Sequence, residues 1–357
     1  MSEKPLIVCC YTHGAADWTW LAGHFSEYRW RFVPPVANGR VAMSQVRQAV
    51  RLAKREKAAL LVTHGPHLAM RCGLWRRLTG AAGIPLLAWS FHYDVPPTGL
   101  KARLIAMGMR GVDLAIVFST AEVELYHEIY RIPRGRIQMA HWGIAPPADP
   151  PPTAYVPENA GNYASAIGGS ARDYATLFAA AAQAPEVPLV VVARPHNLEG
   201  LTIPAHVKVE VNIPYERMQG ILRHSRFTVV PLDAQARSGH SMAVQAWFLR
   251  RPLIITDVLG VSDYLRSGEN ALGVPPADPA ALASAMRRLW QEEALRRSLE
   301  AGGLQFALAH CTEDATVNFL GSCLRRLGVV RRRQERSGPE PVIDLEGPAV
   351  RELDVVE

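Results

Sequence analysis

Residues Arg237–Asp257, R-S-G-H-S-M-A-V-Q-A-W-F-L-R-R-P-L-I-I-T-D, decide how the fold is read. A turn of small residues opens a helix, and Pro252 then starts a short apolar strand. Ser238 or Ser241 is placed to cap the helix, and Gly239 lets the backbone approach a ligand closely. Gln245 follows Ser241 by about one helical turn, on the face that looks back toward the helix start. A hydroxyl, an amide and several N–H groups thereby surround one anion-sized space at the positive end of a helix dipole. A plain capped helix packing Met242, Ala246 and Leu249 into a core has the same spacing, so the anion reading depends on the rest of the chain.

A second turn lies upstream at Ser165–Tyr174, S-A-I-G-G-S-A-R-D-Y, after an apolar strand. Gly168 and Gly169 permit a tight turn, and Arg172 sits at the mouth of the following helix, where its planar fork suits a diphosphate. Either turn alone is weak evidence, but two phosphate-suited turns in one segment reinforce each other.

At 357 residues the chain exceeds one ordinary core and suits two domains. In the first half the expected strands are Leu6–Cys10, Leu60–Thr63, Pro85–Phe91, Leu114–Phe118 and Ile137–Ala140. Helix-period segments at Trp18–Tyr28, Ser44–Glu56, His67–Thr79, Thr98–Met109 and Thr120–Tyr130 separate them. Ile144–Pro157 holds six prolines, cannot be helix or central strand, and reads as a stiff linker. Beyond it, strands near Ala164–Ile167, Leu189–Ala193, Val207–Val211, Phe227–Pro231 and Leu253–Thr256 alternate with helices again. The expected class is α/β, with two doubly wound Rossmann-like domains, 1–145 and 161–310, joined by residues 146–160 and facing each other across a cleft. A helix at 311–330 is free to return to the first domain, and 331–357 lack any period and read as a disordered tail.

With 48% hydrophobic and 20% charged residues, the composition is that of a soluble globular protein, and no apolar run spans a bilayer. The start, M-S-E-K-P-L-I-V-C-C-Y, lacks a signal-peptide layout, and the five cysteines have no C-x-x-C spacing. Free thiols in a reducing compartment, hence a cytoplasmic location, are expected. Residues 1–150 carry 18 Lys/Arg against 10 Asp/Glu, whereas 151–330 carry 16 of each, so an acidic partner would meet the first half only. Leu74–Leu78 (L-W-R-R-L) and Leu100–Arg110 (L-K-A-R-L-I-A-M-G-M-R) mix cations with apolar residues at helical spacing. That suits peripheral contact with an anionic membrane, such as the inner face of the cell membrane, better than nucleic acid, for which no motif is present. A helix packed on the sheet with its charges in water explains the same pattern.

Gln245–Pro276, followed by A-D-P-A-A-L-A-S-A-M-R-R-L, resembles the donor-binding domain of GT-B-fold glycosyltransferases, family 4 (glycosyl transferases group 1) in particular. Phe118–Tyr126 (F-S-T-A-E-V-E-L-Y) and Arg136–Gly143 (R-I-Q-M-A-H-W-G) extend the resemblance into the first half. It implies an enzyme that moves a sugar from a nucleotide diphosphate sugar to a glycan, lipid-linked or small-molecule acceptor, as in polysaccharide or glycoconjugate synthesis. It implies that Arg172, Gly239, His240 and Ser241 face the diphosphate and Gln245 the ribose, with Arg194 a further phosphate ligand and Tyr215 a nucleobase contact. On the acceptor side, in H-Y-D-V-P-P, His92 or Asp94 would act as general base in an inverting transfer. In a retaining transfer His92 would orient the sugar, and a role for both in shaping the loop is the plain alternative. Gly14, Asp17 and Trp18 of H-G-A-A-D-W fall on the acceptor side, at a place where the family often carries paired glycines. No metal or other cofactor is implied, and His64 and His67, in T-H-G-P-H, have no acidic or Cys partner at ligand spacing. His141 and Trp142 read as hinge packing.

The sequence departs from the family at one telling place. Its paired glutamates, eight positions apart, fall on Arg237 and Gln245. A glutamine still offers one acceptor and one donor, without the charge that strengthens such bonds. Two rivals stand beside this reading: a nucleotide-sugar 2-epimerase, which shares the fold, and a non-catalytic nucleotide-sugar-binding protein, which the missing carboxylates suggest.

Overall fold

The computed structural model describes residues 4–12, 19–35, 42–93, 96–147 and 154–329. They form two six-stranded sheets in which every pairing is parallel. The first contains β1 (Leu6–Cys10), β2 (Arg29–Val33), β3 (Leu60–His64), β4 (Leu86–Trp89), β5 (Leu114–Val117) and β6 (Ile137–Met139), in the order β2-β1-β3-β4-β5-β6. Its helices are α1 (Thr19–His24), α2 (Met43–Arg55), α3 (Pro66–Leu78), α4 (Gly99–Met109) and α5 (Thr120–Tyr130). The second contains β7 (Ala164–Ile167), β8 (Leu189–Ala193), β9 (Val207–Val211), β10 (Phe227–Val230), β11 (Leu253–Thr256) and β12 (Leu272–Val274), in the order β12-β11-β10-β7-β8-β9. With it go α6 (Tyr174–Gln183), α7 (Tyr215–Arg223), α8 (His240–Phe248), α9 (Pro279–Gln291), α10 (Glu293–His310) and α11 (Glu313–Arg326).

Strands β1, β4 and β5 are apolar and buried along their whole length, and β3 is equally buried but ends in Thr63 and His64, as suits strands covered on both faces. Alternation then sends Leu6, Val8 and Cys10 into the core under α2–α5 and Ile7 and Cys9 into the core on the opposite face. Leu320, Cys323 and Leu324 of α11 close that opposite face, so the helix furthest along the described chain completes the first domain.

Two edge strands lie outside the expected set. Residues 25–28 leave α1 through a turn, and Arg29–Val33, alternating Arg with Trp and Phe at the half-exposed edge, pairs with β1. The helix expected over Trp18–Tyr28 accordingly stops at His24. Leu272–Val274 is the other edge, three residues long. Neither carries the long buried run by which a central strand announces itself.

In each sheet the strand order reverses once, between β1 and β3 and between β7 and β10. At such a reversal the connections leave in opposite directions and open a crevice beyond the carboxyl ends of the strands. The second reversal carries both phosphate-suited turns.

Candidate active site

Strand β7 runs into the glycine turn. Gly168 holds φ +142°, and a Cβ there would lie 2.5 Å from Nε of Arg172; a Cβ on Gly169 would lie 2.8 Å from Cδ of Arg194. Both arginine side chains thus lie across a turn that only glycine leaves room for. Arg172 Nη1 donates to the Ser170 carbonyl at 2.8 Å, and Tyr174 donates its hydroxyl to the Gly168 carbonyl at 2.7 Å. Asp173 caps α6, accepting from the Thr176 N–H at 2.9 Å, which fixes the helix mouth beside Arg172. Asn197 Nδ2 donates to the Gly169 carbonyl at 3.1 Å and its Oδ1 accepts from the Arg194 N–H, tying the loop after β8 to the same turn.

The loop after β10 joins from the other side of the reversal. Leu232 and Arg172 form an antiparallel bridge, and the Asp233 N–H donates to the Ala171 carbonyl at 3.2 Å. Gly239 occupies the N-cap of α8 at φ +111°, where a Cβ would press on Leu232 at 2.9 Å. Here the expectation of a serine cap is corrected. Gly239 is the cap residue and makes no side-chain cap bond; Ser238 instead turns its hydroxyl 3.5 Å from the Ser170 carbonyl, and Ser241 lies inside the helix. First-turn N–H groups that take no side-chain cap are what an anion can use.

Gln245 Oε1 accepts from Gln219 Nε2 at 2.8 Å, and the same Nε2 lies 3.0 Å from the Tyr215 hydroxyl. The candidate ribose and base residues are thus joined through Gln219, which had not been singled out. Tyr215 is exposed. The His240 imidazole is buried, stacked on Tyr264 at 5.5 Å and 19°, and bordered by Phe118 and Trp142.

Opposite α8 stands His92, just past β4. Its Nδ1 is 2.8 Å from Oε1 of Glu122, a fully buried carboxylate in the first turn of α5, and its ring is 6.3 Å from that of His240. Glu122 also receives the Tyr126 hydroxyl at 2.8 Å and the Phe118 N–H at 3.2 Å. It was absent from the expected site, although one signal pointed to it: Glu122, Tyr126 and Tyr130 recur every four residues, the stripe that faces the core. Burial pushes the Tyr126 hydroxyl well up, and that of Tyr130 up to about 12, with the Arg237 cation of the second domain acting against it.

Asp94 and the early-loop residues Gly14, Asp17 and Trp18 lie outside the described residues, as do the 331–357 tail and part of the Pro-rich linker. His64 is buried at the end of β3, and burial lowers it to about 3; His67 packs edge-on against Tyr93. Among the described residues there is no cluster of three metal-ligating side chains. His141 packs against Tyr264, Phe306 and His310, and the Trp142 N–H donates to the Tyr264 hydroxyl at 2.9 Å, so both sit between the domains.

Comparison with known proteins places a family model at each end. Residues 7–146 match Glycosyltransferase Family 4, and residues 172–292 match Glycosyl transferases group 1. No curated protein matches the chain in sequence. Among solved structures, the sucrose-phosphate synthase of Thermosynechococcus elongatus superposes with a TM-score of 0.68 at 17% identity, covering 91% of this chain and 99% of that one. HepE of Anabaena, solved in complex with UDP, superposes with a TM-score of 0.68 at 12% identity, covering 90% of this chain and 100% of its own. At these identities the structural likeness establishes the fold, two Rossmann-like domains in the GT-B arrangement.

Proposed function

The chain is a GT-B glycosyltransferase built from family 4 and group 1 domains, and on that premise we propose that it transfers a sugar from a nucleoside diphosphate to an acceptor held against the first domain. The observation that carries this reading is the convergence of the Gly168–Arg172 turn, Arg194 and the α8 start at one strand reversal, with His92 opposite.

In the transfer, the bond between the sugar's anomeric carbon and the diphosphate oxygen breaks, and its electron pair leaves with the diphosphate. Arg172, Arg194 and the first turn of α8 supply positive charge and N–H donors where that negative charge develops. The acceptor hydroxyl forms the new bond to the anomeric carbon and gives up its proton. On the acceptor side of this centre, His92 takes that proton in an inverting transfer; in a retaining transfer the proton passes to the departing diphosphate and His92 orients the sugar. Gln245 and Tyr215, joined by Gln219, take the nucleoside end. HepE is known with UDP, so uridine diphosphate sugars are the first donors to test.

The acceptor side also supports a lipid-linked substrate. In α4, Ala102, Ile105 and Met109 turn inward, whereas Leu100, Leu104 and Met107 point into water at 73%, 49% and 43% exposure, flanked by Lys101 and Arg103. A helix merely resting on its sheet would carry polar residues there. A groove of about 680 Å³ beside it is bordered by Arg103, Arg110 and Arg131. Apolar side chains ringed by cations suit an anionic membrane surface, and α4 starts at the end of the loop that carries His92. Among the described residues no helix is long and apolar enough to cross a membrane.

The deciding experiment measures nucleoside diphosphate release from nucleotide sugars with and without acceptor sugars or lipid-linked acceptors. Release that depends on the acceptor is the expected result. Acceptor-independent change of the donor would indicate epimerisation, and binding without turnover of any donor would indicate a binding protein.

A further inference from the structure

The contacts of one buried acid go beyond donor binding. Glu122 is fully buried in the first turn of α5, yet among the described residues no Lys or Arg pairs with it. Four groups instead converge on its two oxygens. His92 Nδ1 and the Tyr126 hydroxyl reach Oε1, each at 2.8 Å; the Phe118 N–H and the Ser119 hydroxyl reach Oε2, at 3.2 and 3.4 Å. The direction of each bond can be assigned. The Tyr126 oxygen already accepts from the Tyr93 N–H at 3.0 Å, so its hydroxyl proton points to Glu122. A backbone N–H can only donate. A carboxylate surrounded by such donors acts as acceptor, and His92 must therefore supply the proton of the Nδ1 bond.

We infer that Glu122 is a positioning residue: it holds the His92 imidazole in the Nδ1–H tautomer, so that Nε2 carries the lone pair on the side of the ring turned from α5. The reason is elementary. A neutral imidazole has one N–H and one acceptor nitrogen, and the group bonded to the first decides the character of the second. Here Nδ1 is committed to the core of the first domain. The ring stands across from His240 at the start of α8, on the domain boundary where the sugar must pass. An acceptor nitrogen in that position receives a hydroxyl hydrogen, whether of the donor sugar or of the acceptor. Without the carboxylate the Nδ1 bond that selects the tautomer is lost, and both tautomers become accessible. Tyr126 serves the same end one step back, since its hydroxyl joins Glu122 to the Tyr93 N–H directly after His92.

This inference rests on the transferase reading and refines it, so its test has one arm that needs no turnover. Nitrogen-15 shifts of His92 in the whole protein should show a protonated Nδ1 and an unprotonated Nε2 near neutral pH, and Glu122→Gln should mix the two forms. A protonated Nε2 in the unmodified protein would overturn the inference even if no donor is ever turned over. In the kinetic arm, Glu122→Gln should lower kcat roughly 10- to 100-fold and leave the KM for donor and the affinity for free nucleoside diphosphate within about twofold, the pattern of a group acting on the reacting centre alone. His92→Ala combined with Glu122→Gln should be no slower than His92→Ala by itself, because the acid acts through the ring. Additive losses, or a folded Glu122→Gln variant with undiminished kcat, would count against the assignment. If Glu122→Gln does not fold, Tyr126→Phe is the substitute: a two- to fivefold fall in kcat at unchanged donor KM is expected, and an unchanged kcat would refute it.

Discussion

Asp263 of the second domain accepts hydrogen bonds from both the backbone N–H and the hydroxyl of Thr120, at 2.7 and 2.9 Å, and Thr120 is the first residue of α5 in the first domain. A carboxylate from one domain thus sits at the positive end of a helix in the other. Two residues further along α5 is Glu122, and beyond it His92. This contact between the domains and the Glu122–His92 bond share a single helical turn.

Asp263→Ala should therefore change catalysis more than stability. Thr120 is exposed and Asp263 only half-buried, so loss of the pair should cost no more than about 1 kcal/mol. Looser closure should show instead as a several-fold fall in kcat/KM. Steady-state kinetics beside a thermal melt separate the two effects; a lowered melting temperature with unchanged kcat/KM would argue against a closing role.

At the glycine turn, Gly168→Ala should be nearly as damaging as removing the arginine it supports. The new methyl would meet Arg172 Nε at 2.5 Å, in a backbone region that side chains avoid. Arg172→Ala should cut transfer roughly 100-fold through lost stabilisation of the departing diphosphate. Calorimetric titration with UDP would register both as weakened binding, and wild-type affinity in both would remove the diphosphate from this turn.

Gln245→Glu restores the carboxylate that family resemblance leads one to expect. Its oxygen can keep the Gln219 bond of 2.8 Å, and a charged acceptor binds hydroxyls more strongly. The variant should hold nucleoside diphosphates about threefold to tenfold tighter, whereas Gln245→Ala should loosen them by a similar factor, equivalent to about 1 kcal/mol. Equal affinity in all three proteins would remove residue 245 from the site.

For the α4 face, Leu100→Ser combined with Leu104→Ser should leave folding intact, since both side chains are exposed. Cosedimentation with vesicles rich in anionic phospholipid should fall several-fold relative to the parent, and should fall in the parent too as salt is raised. Equal binding of neutral and anionic vesicles would contradict the electrostatic part of this reading.

Stability should decline on mild acidification for a reason that His64 makes specific. Burial lowers its imidazole to about 3, while the unfolded chain protonates it near the ordinary 6.5. Below the unfolded value the unfolded state binds a proton that the native state refuses, so His64 costs roughly 1.4 kcal/mol per pH unit as pH falls from 6.5 toward 3. Above 6.5 it has no effect. His64→Gln should flatten the acid limb of a urea-midpoint-versus-pH curve; an identical limb in the variant would assign the loss to other groups.

Much of this molecule is local and could be read from one strand or turn at a time. Runs such as Leu60-Leu61-Val62 announce buried parallel strands because both faces must be apolar, and Gly168 and Gly239 mark the two anion-suited turns because only glycine leaves room at these backbone angles. The alternation of these elements is enough for two doubly wound domains. The edge strand Arg29–Val33 escaped because a half-exposed strand has no such run.

What tertiary structure alone decided is which side chains meet. His92 and Glu122 are 30 residues apart, Gln219 and Gln245 are 26 apart, and Thr120 and Asp263 are 143 apart. Periodicity says which face of an element is buried, but not which neighbour that face meets or at what register. Those follow from how helices settle on sheets and how the second domain settles on the first. Glu122 could be recognised in the sequence as an acid on a core-facing stripe; its partner became visible only once α5 lay against the end of β4.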